Sequence, residues 1–327
     1  MIIPAILAAV VLIIFLIAWL TWHAAFYSTP GKHPGPDDPL RGRQYEKVTH
    51  HLRRISGIMQ KYPFEPVEIT SFDGLRLFGR YYQNRDNAPL IILFHGYRSC
   101  GFRDCSGGHA LARKMGFNAL VIDQRAHGES DGTVITMGIK ERQDCLLWAR
   151  YAAKRFGPQT PIVLSGLSMG AATVLMASDL ELPSNVAAII ADSPYSAPIA
   201  ILEKVCHDRG YPVALCRPFL YLGALVFGHF LISSCNAKDA VRATDIPILL
   251  LHGEADHLVP CEMTNEIKAA GKSRIEAVTF PDAGHGLAYI SDPPRYEAAI
   301  VDFLNSIPAL SGMITLEPAP QQKEIDS

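Results

Sequence analysis

Short apolar runs that alternate with helical stretches organise most of the chain. Each run is continuous, has the length of one strand and ends at small or polar residues: 90–94, 119–122, 162–164, 186–190 and 246–251. Such runs are typical of strands that are buried on both faces of a parallel sheet. Candidate helices lie between or after these runs, at residues 106–115, 138–156, 169–180, 262–270 and 293–305. The alternation predicts the α/β fold class, with a mostly parallel sheet that carries helices on both faces.

The segment before residue 90 has a different pattern, because its apolar residues alternate with polar ones. Residues 67–70 and 75–82 follow this pattern on either side of Asp73-Gly74, a dipeptide that favours a tight hairpin turn. The α/β domain, predicted over residues 61–306, therefore opens with an antiparallel hairpin. The tail at 307–327, rich in polar residues and proline towards its end, is predicted to be disordered.

One interval between two predicted strands is too long to be a simple connection. It covers residues 197–243 and contains an apolar stretch at 218–232, which is shorter than a membrane span. We interpret the interval as a helical cap inserted over the sheet. Its apolar residues either pack on the main domain or line a substrate pocket, and Phe227, Phe230 and the preceding Tyr195 are the candidate pocket residues.

The N-terminal segment is predicted to be a transmembrane anchor. Residues 2–22 are uncharged, and about 21 residues make roughly 31 Å of helix, enough to cross the hydrocarbon core of a bilayer. A cleaved signal peptide has a basic start and a shorter apolar core, so it is the weaker alternative. The anchor is assigned to residues 1–27, followed by a linker and leading helix at 28–60. Deletion of the anchor is therefore expected to leave an active, soluble domain.

Charge and cysteine content restrict the compartment and the partners. Lys32, Arg41 and Arg43 follow the anchor, which favours a single-pass protein with its globular domain in the cytoplasm.

The seven cysteines include no C-x-x-C pair, which argues against a disulfide framework or a structural zinc site. A formal net charge of −2 lacks the basic stripe of a nucleic-acid-binding protein. No metal or organic cofactor is implied.

The sequence at residues 166–170, Gly-Leu-Ser-Met-Gly, matches the G-x-S-x-G pattern of a nucleophile elbow. A predicted strand precedes it and a helix start rich in small residues follows, as such an elbow requires. Ser168 is therefore the predicted nucleophile. The oxyanion formed by its attack needs two donors, for which we predict the N–H of Met169 and the N–H of Tyr97, after the run 90–94.

The general base is expected on the loop that follows a late strand. His285 lies between two glycines after the apolar segment 275–280, and it is the predicted base for Ser168. His127 is the strongest competitor among the other histidines. The order of a serine, an acid and a histidine along the chain favours His285.

The acid that orients this histidine should follow the strand that lies between them in sequence. Asp256, in the turn after the run 246–251, is the predicted acid. Glu254 is the nearby alternative, and Asp192, after the preceding strand, is the distant one. Glu254 and Asp192 can also be explained without a catalytic role, because acidic side chains commonly stabilise turns.

From about residue 67 to residue 304, these features together resemble the α/β-hydrolase superfamily. Within it, the chain is similar to bacterial membrane-tethered serine hydrolases of feruloyl-esterase-like and peptidase-S9-like type. The resemblance rests on six motifs: His95-Gly96-Tyr97, Asp123-x-Arg125-x-His127-Gly128-x-Ser130, Gly166-x-Ser168-x-Gly170, Asp192-Ser193-Pro194-Tyr195, His252-Gly253-x-x-Asp256-x-x-Val259-Pro260 and Gly284-His285.

The resemblance implies an acyl-transfer enzyme that cleaves a carboxylic ester or thioester of a small or lipid-like molecule. It also implies structural roles for Asp123, Arg125 and His127 beneath the site. An S9-like peptidase or amidase is an alternative, although Ala171 follows the elbow where many such peptidases have glycine, and their β-propeller domain is lacking. A catalytically silent binding module on the same fold is a further alternative.

Overall fold

The structure is a computed structural model that describes residues 2–29, 35, 38, 42–272, 274–314 and 316. Its centre is an eight-stranded sheet. The strands are β1 Glu65–Thr70, β2 Arg76–Tyr82, β3 Leu90–Phe94, β4 Asn118–Ile122, β5 Ile162–Leu167, β6 Val186–Asp192, β7 Ile248–Gly253 and β8 Ile275–Phe280. They are arranged in the order β1-β2-β4-β3-β5-β6-β7-β8.

Strand direction follows the pattern expected from the sequence. β1 pairs antiparallel with β2, and β2 pairs antiparallel with β4. All the other neighbouring strands are parallel. The predicted α/β fold class, with a mostly parallel sheet and an N-terminal antiparallel hairpin, is confirmed.

Helices cover both faces of the sheet. They are α1 Ile2–Ala25, α2 Arg43–Glu46, α3 Thr49–Lys61, α4 Gly101–Asp104, α5 Ser106–Lys114, α6 Glu141–Phe156, α7 Met169–Met176, α8 Pro198–Asp208, α9 Val213–Val226, α10 Ala237–Ala243, α11 Glu262–Ala270, α12 Ala288–Ser291 and α13 Pro293–Asn305. Alternate residues of β3 enter two separate cores: Ile92 packs with Trp148 of α6, and Ile91 packs with Leu111 of α5 and Phe303 of α13. Burial on both faces explains why the sequence of this strand is a continuous apolar run.

The parallel strands determine where the chemistry can lie. Neighbouring parallel strands end at the same edge of a sheet, so the loops after β3, β5, β7 and β8 meet there. These loops carry Tyr97, Ser168, Asp256 and His285, the residues for which the sequence predicts a catalytic role.

The insertion between β6 and β7 forms α8, α9 and α10, within the interval predicted at 197–243. Its central helix, α9, packs against α1. A Cβ atom added to Gly223 of α9 would lie 2.7 Å from the carbonyl oxygen of Ala18 in α1. This contact leaves Ala18 with 0% exposure, so the insertion buries part of its surface against the N-terminal helix.

Helix α1 is long and apolar enough to cross a membrane, by length and composition alone. Its first half is exposed, with 76% of Ile2 and 70% of Leu12 accessible to solvent. Its end is different, because the ring of Trp22 lies 5.9 Å from that of Phe227 in the insertion.

The chain that leaves α1 continues directly into the globular domain. Phe26 has 0% exposure, and its ring meets that of Phe230 edge to face at 5.2 Å. Its carbonyl accepts the N–H of Ile135, and the N–H of Ser28 donates to the carbonyl of Thr133, both at 2.8 Å. The structure therefore contradicts the expected separation of anchor and domain at residue 27, since core packing extends across that boundary. Within the expected linker and leading helix at 28–60, residues 30–34, 36, 37 and 39–41 lie outside the described residues.

The C-terminal boundary of the domain also differs from the prediction. Ile307 and Leu310 are buried in the same core as α13, so the packed domain extends beyond residue 306. The apolar side chains of these two residues fill the space next to the last helix. Most of the predicted disordered tail, residues 315 and 317–327, lies outside the described residues.

Candidate active site

Ser168 lies on a sharp turn between the end of β5 and the start of α7. Its backbone has φ 56° and ψ −114°, a left-handed conformation that is strained for a residue with a side chain. A Cβ atom added to Gly166 would lie 2.2 Å from the carbonyl carbon of Gly170, and one added to Gly170 would lie 2.1 Å from the carbonyl oxygen of Phe94. The two glycines of the motif are therefore required by close backbone contacts on both sides of the serine.

The structure brings Ser168, His285 and Asp256 together in one chain of hydrogen bonds. The Ser168 Oγ and the His285 Nε2 are 2.9 Å apart. The His285 Nδ1 lies 2.7 Å from the Asp256 Oδ2. The loop after β8 carries the histidine and the turn after β7 carries the carboxylate, as the sequence order predicts.

The surroundings of Asp256 keep its carboxylate ionised. Burial raises the pKa of this group, but hydrogen bonds from His252 and His285 outweigh it, so the pKa is held well below its usual range. The other carboxylate oxygen accepts the N–H groups of Leu258 and Val259, at 2.9 and 2.8 Å. An ionised Asp256 requires a proton on the His285 Nδ1, which leaves Nε2 free to accept the serine proton.

The two alternative acids have other partners. Asp192 accepts hydrogen bonds from the hydroxyls of Ser193, at 2.9 Å, and Tyr296, at 3.0 Å. Burial raises the pKa of Asp192. Glu254 is exposed and accepts the hydroxyl of Thr279 at 2.5 Å. Of the three carboxylates, Asp256 is the one hydrogen-bonded to a histidine that reaches Ser168.

The two predicted oxyanion donors have N–H groups without an acceptor among the described residues, and Tyr97 lines the same cavity as Ser168. Met169 is the first residue of α7, where a helix has no internal acceptor for its N–H. The N–H of Tyr97 has no acceptor within the described part of the chain. Both are therefore available to an oxygen atom that becomes negatively charged beside Ser168.

Two buried histidines, His95 and His127, hold the loop that carries Tyr97. His95 bonds through Nδ1 to the carbonyl of Gly96 at 2.8 Å and accepts the N–H of Gln124 at Nε2. Burial lowers the pKa of His95, so the ring is neutral. The Nε2 of His127 accepts the N–H of Arg98 at 3.0 Å. These contacts give both histidines a supporting role in the loop.

A cavity of about 390 Å³ opens in front of Ser168. Its wall is mostly apolar and includes Leu52, Ile55, Leu93, Leu167, Leu258, Leu287, Tyr289 and Ile290. Polar residues also line the cavity, among them Ser99, Arg103 and Asp104. A mainly apolar space with a few polar groups suits an acyl chain or an aromatic acid attached to a polar leaving group.

The three residues predicted to line a substrate pocket do not line this cavity. Tyr195 is buried in the core, where its hydroxyl donates to the carbonyl of Met137 at 3.0 Å. Phe227 and Phe230 pack against the end of α1. The prediction was wrong because the apolar residues of the insertion bury against the N-terminal helix.

Two residues of the leading segment also hold His285, and no sequence pattern singles them out. Gln44 accepts the N–H of His285 through Oε1 at 3.1 Å. The hydroxyl of Tyr45 donates to the carbonyl of His285 at 3.1 Å. Both lie on α2, 240 residues or more before the histidine in sequence, so no local pattern could connect them. The available signal was the amphipathic α3, which implied only that the leading segment packs on the domain.

Comparisons with known proteins agree with this architecture. The family model described as the alpha/beta hydrolase family matches residues 91–299. The protein YfhR of Escherichia coli strain K12 is 27% identical over 253 residues, which are 74% of this chain and 81% of YfhR. The lysophosphatidylserine lipase ABHD12 of Danio rerio is 24% identical over 240 residues, 67% of this chain and 58% of that protein.

A solved structure, the Pyrococcus furiosus esterase Pf2001, is similar in fold. It superposes with a TM-score of 0.60 at 23% identity, covering 75% of this chain and 93% of the esterase. At this level of identity the likeness concerns the fold, and the chemistry must be argued from the residues described above.

Proposed function

The chain belongs to the alpha/beta hydrolase family, and we propose that it is a serine hydrolase that cleaves carboxylic esters or thioesters. The observation that carries this proposal is the hydrogen-bond chain from Ser168 through His285 to Asp256, with distances of 2.9 and 2.7 Å. A serine hydroxyl is a weak nucleophile on its own, and a histidine oriented by a carboxylate is what activates it.

The proposed reaction has two steps. His285 removes the proton of Ser168 as the Oγ attacks the carbonyl carbon, and the N–H groups of Tyr97 and Met169 stabilise the oxyanion. Asp256 stabilises the imidazolium that forms, and His285 then passes the proton to the leaving alcohol or thiol. Water, activated by the same histidine, hydrolyses the acyl-enzyme and regenerates Ser168.

We propose a small or lipid-like acyl compound as substrate. The mainly apolar wall of the cavity supports this, because Leu52, Ile55 and Ile290 offer no partner for a charged acyl group. The similarity to a protein named as a lysophosphatidylserine lipase agrees with a lipid-like substrate.

We also propose that α1 anchors the protein in a membrane as a single span, with the catalytic domain on the cytoplasmic side. Length and apolar composition support the span. The exposed apolar surface of its first half, which includes Ile2 and Leu12, has no other partner within the described chain. Lys32, Arg41 and Arg43 support the orientation, because these basic residues follow the helix in the sequence.

Labelling with a fluorophosphonate tests the proposal directly. The full-length protein in detergent should react at one serine, and Ser168→Ala should abolish labelling and lower ester hydrolysis by about 10⁶-fold, as removal of the nucleophile does in a related triad. The exposed Ser311→Ala is the matched control and should behave like the wild type. Labelling of Ser168→Ala at another serine would exclude the proposed nucleophile.

A series of p-nitrophenyl esters of increasing chain length then defines the acyl preference. A purely silent binding module would hydrolyse none of them and would not react with the fluorophosphonate.

A further inference from the structure

The C-terminal end of α1 is capped by side chains from the loop that follows β3. The last carbonyl groups of a helix lack internal partners and need donors from elsewhere. The hydroxyl of Tyr97 donates to the carbonyl of Ala25 at 2.8 Å. The Nη2 of Arg98 donates to the carbonyls of Ala24 and Tyr27, both at 2.9 Å. A guanidinium at this position is also favoured by the negative end of the helix dipole.

The same loop is fixed on its other side by the core of the domain. The N–H of Arg98 donates to the Nε2 of His127 at 3.0 Å. The N–H of Gly96 donates to the Oδ2 of Asp104 at 2.8 Å. Arg98 has φ 49°, a left-handed conformation that a residue with a side chain keeps only where its surroundings impose it. The backbone that carries the Tyr97 N–H is thus held between the core and the end of α1.

The position of α1 is itself determined by close packing. A Cβ atom added to Gly223 would lie 2.7 Å from the carbonyl oxygen of Ala18 and 3.1 Å from the Cβ of Trp22. Phe26, immediately after the helix, is buried against Phe230. Such contacts leave little freedom for the helix to slide without moving its neighbours. A shift of α1 would therefore move the carbonyls that hold Tyr97 and Arg98.

We propose that the C-terminal turn of α1 is a positioning element of the oxyanion hole. Tyr97 and Arg98 connect the helix that anchors the protein to the N–H group that stabilises the oxyanion. This inference rests on the proposed serine hydrolase mechanism, because it assigns a function to the Tyr97 N–H in that reaction. Tyr97 and Arg98 act through their side chains as positioning residues, and the helix contributes only backbone carbonyl groups.

Substitutions in the full-length protein test the first half of this coupling. Tyr97→Phe removes the bond to Ala25 and retains the backbone N–H, and Arg98→Ala removes both bonds from the guanidinium. Complete loss of an oxyanion donor costs about 10²–10³ in kcat, so a displaced donor is expected to cost roughly tenfold, with KM nearly unchanged. Arg98→Lys, which can still donate to a carbonyl, should recover part of the loss.

The rate must be measured per functional site, so that partial unfolding is not counted as lost catalysis. The end point of fluorophosphonate labelling gives the number of functional sites. Affinity for a boronic acid, whose serine adduct directs an oxygen towards the oxyanion donors, should fall in parallel with kcat/KM. Tyr151→Phe is the matched control, since it removes a surface hydroxyl that contacts Arg155 on α6.

A second pair of variants tests the coupling from a distance. Gly223→Ala pushes a methyl group against the Ala18 carbonyl, whereas Gly57→Ala on α3 meets nothing within 4 Å. Both introduce the same residue into a helix. Gly223→Ala should lower kcat by several-fold and lower boronic acid affinity, while Gly57→Ala should leave both at the wild-type value.

The coupling is disproved if Tyr97→Phe, Arg98→Ala and Gly223→Ala all keep the wild-type kcat and boronic acid affinity per labelled site. A failure of the proposed mechanism looks different, because Ser168→Ala would then still react with the fluorophosphonate. Loss of labelling sites without a change in kcat per site would mean that these contacts only support the fold, and this too would overturn the inference.

Discussion

His285 is constrained by both its side chain and its backbone. The ring bonds to Ser168 and Asp256, and the backbone N–H and carbonyl bond to Gln44 and Tyr45. The role proposed for His285 as a base requires the correct tautomer and a fixed ring position. Asp256 supplies the first through its charge, and the two residues of α2 contribute to the second.

Substitution of each carboxylate should show which of Asp256, Asp192 and Glu254 is the acid that orients His285. Asp256→Asn is expected to lower kcat by about 10⁴, because an amide no longer enforces the tautomer with the proton on Nδ1. Asp192→Asn and Glu254→Gln should each cost far less, since neither group bonds to His285. The measurement is ester hydrolysis per fluorophosphonate-labelled site. An inactive Asp192→Asn beside an active Asp256→Asn would show that the acid is misassigned.

A buried histidine far from this chemistry should make stability depend on pH. His109 has 1% exposure, and its ring lies 4.5 Å from that of Tyr82. Burial and then the charge of Arg113 lower the pKa of His109 to about 3. In the unfolded chain its pKa is about 6.5, so between these two values only the unfolded state binds the proton. Stability from this group is complete above about pH 6.5 and is lost as the pH falls towards 3.

His109→Phe should therefore reduce the loss of stability on acidification. One such group contributes at most about 1.4 kcal/mol per pH unit in this range. Unfolding of both proteins at pH 7 and pH 5 in one detergent measures the difference, with the exposed His207→Phe as the matched control. An equal loss of stability in His109→Phe and in the wild type would contradict the assignment of this histidine as buried and neutral.

At the scale of elements, α2 and α3 form the side of the cavity that had been expected from the insertion. Leu52 and Ile55 of α3 face the cavity, whereas Ser56 and Met59 of the same helix are buried. The helix is amphipathic, so one face packs on the domain and its edge contributes apolar surface to the cavity. The acyl preference should therefore depend on the leading segment.

Two truncations of similar chemistry distinguish the roles of α3 and the insertion. Ile55→Ala should change the preferred acyl chain length by roughly 1–3 kcal/mol in kcat/KM between neighbouring substrates. Phe230→Ala should cost about 3–5 kcal/mol of stability and leave the chain-length profile unchanged, because that ring is buried against Phe26. Melting temperatures and an ester series measure both effects. A changed profile in Phe230→Ala with an unchanged one in Ile55→Ala would restore the insertion as the pocket wall.

The strands and the meeting of Ser168 with His285 and Asp256 could be predicted because the information is local. A buried strand is a continuous apolar run, and the residue that follows it must lie at the edge where the ligand binds. The site contacts of Gln44 and Tyr45 could not be predicted, because they join segments far apart in sequence. The apolar sequence of the insertion predicted that its side chains are buried. Its composition could not show that they pack against the N-terminal helix.

At the scale of the whole molecule, the N-terminal helix, the insertion and the catalytic domain form a continuous packed unit. α1 contacts α9 through Ala18 and Gly223, and its end contacts the loop of Tyr97 and Arg98. Most of α1 is exposed, including Leu16 (55%) and Leu20 (52%), and this surface remains for the proposed membrane span. The proposed anchor and the domain therefore overlap in the second half of α1, from Ala18 onwards, and are not separated after the helix.

Two deletions test this overlap by experiment. Removal of residues 2–16 discards exposed apolar surface and retains Ala18, Trp22 and the carbonyls that bond to Tyr97 and Arg98. This protein should keep its fold and most of its kcat. Removal of residues 2–27 also takes away Phe26, which has 0% exposure, and loss of a buried phenylalanine side chain alone costs about 3–5 kcal/mol. That is a large part of the stability of an average domain. The longer deletion should therefore give an insoluble protein or one with few fluorophosphonate-reactive sites, as measured by size-exclusion chromatography and labelling. A monodisperse, fully active protein from the longer deletion would show that the end of α1 is dispensable and that the domain folds without it.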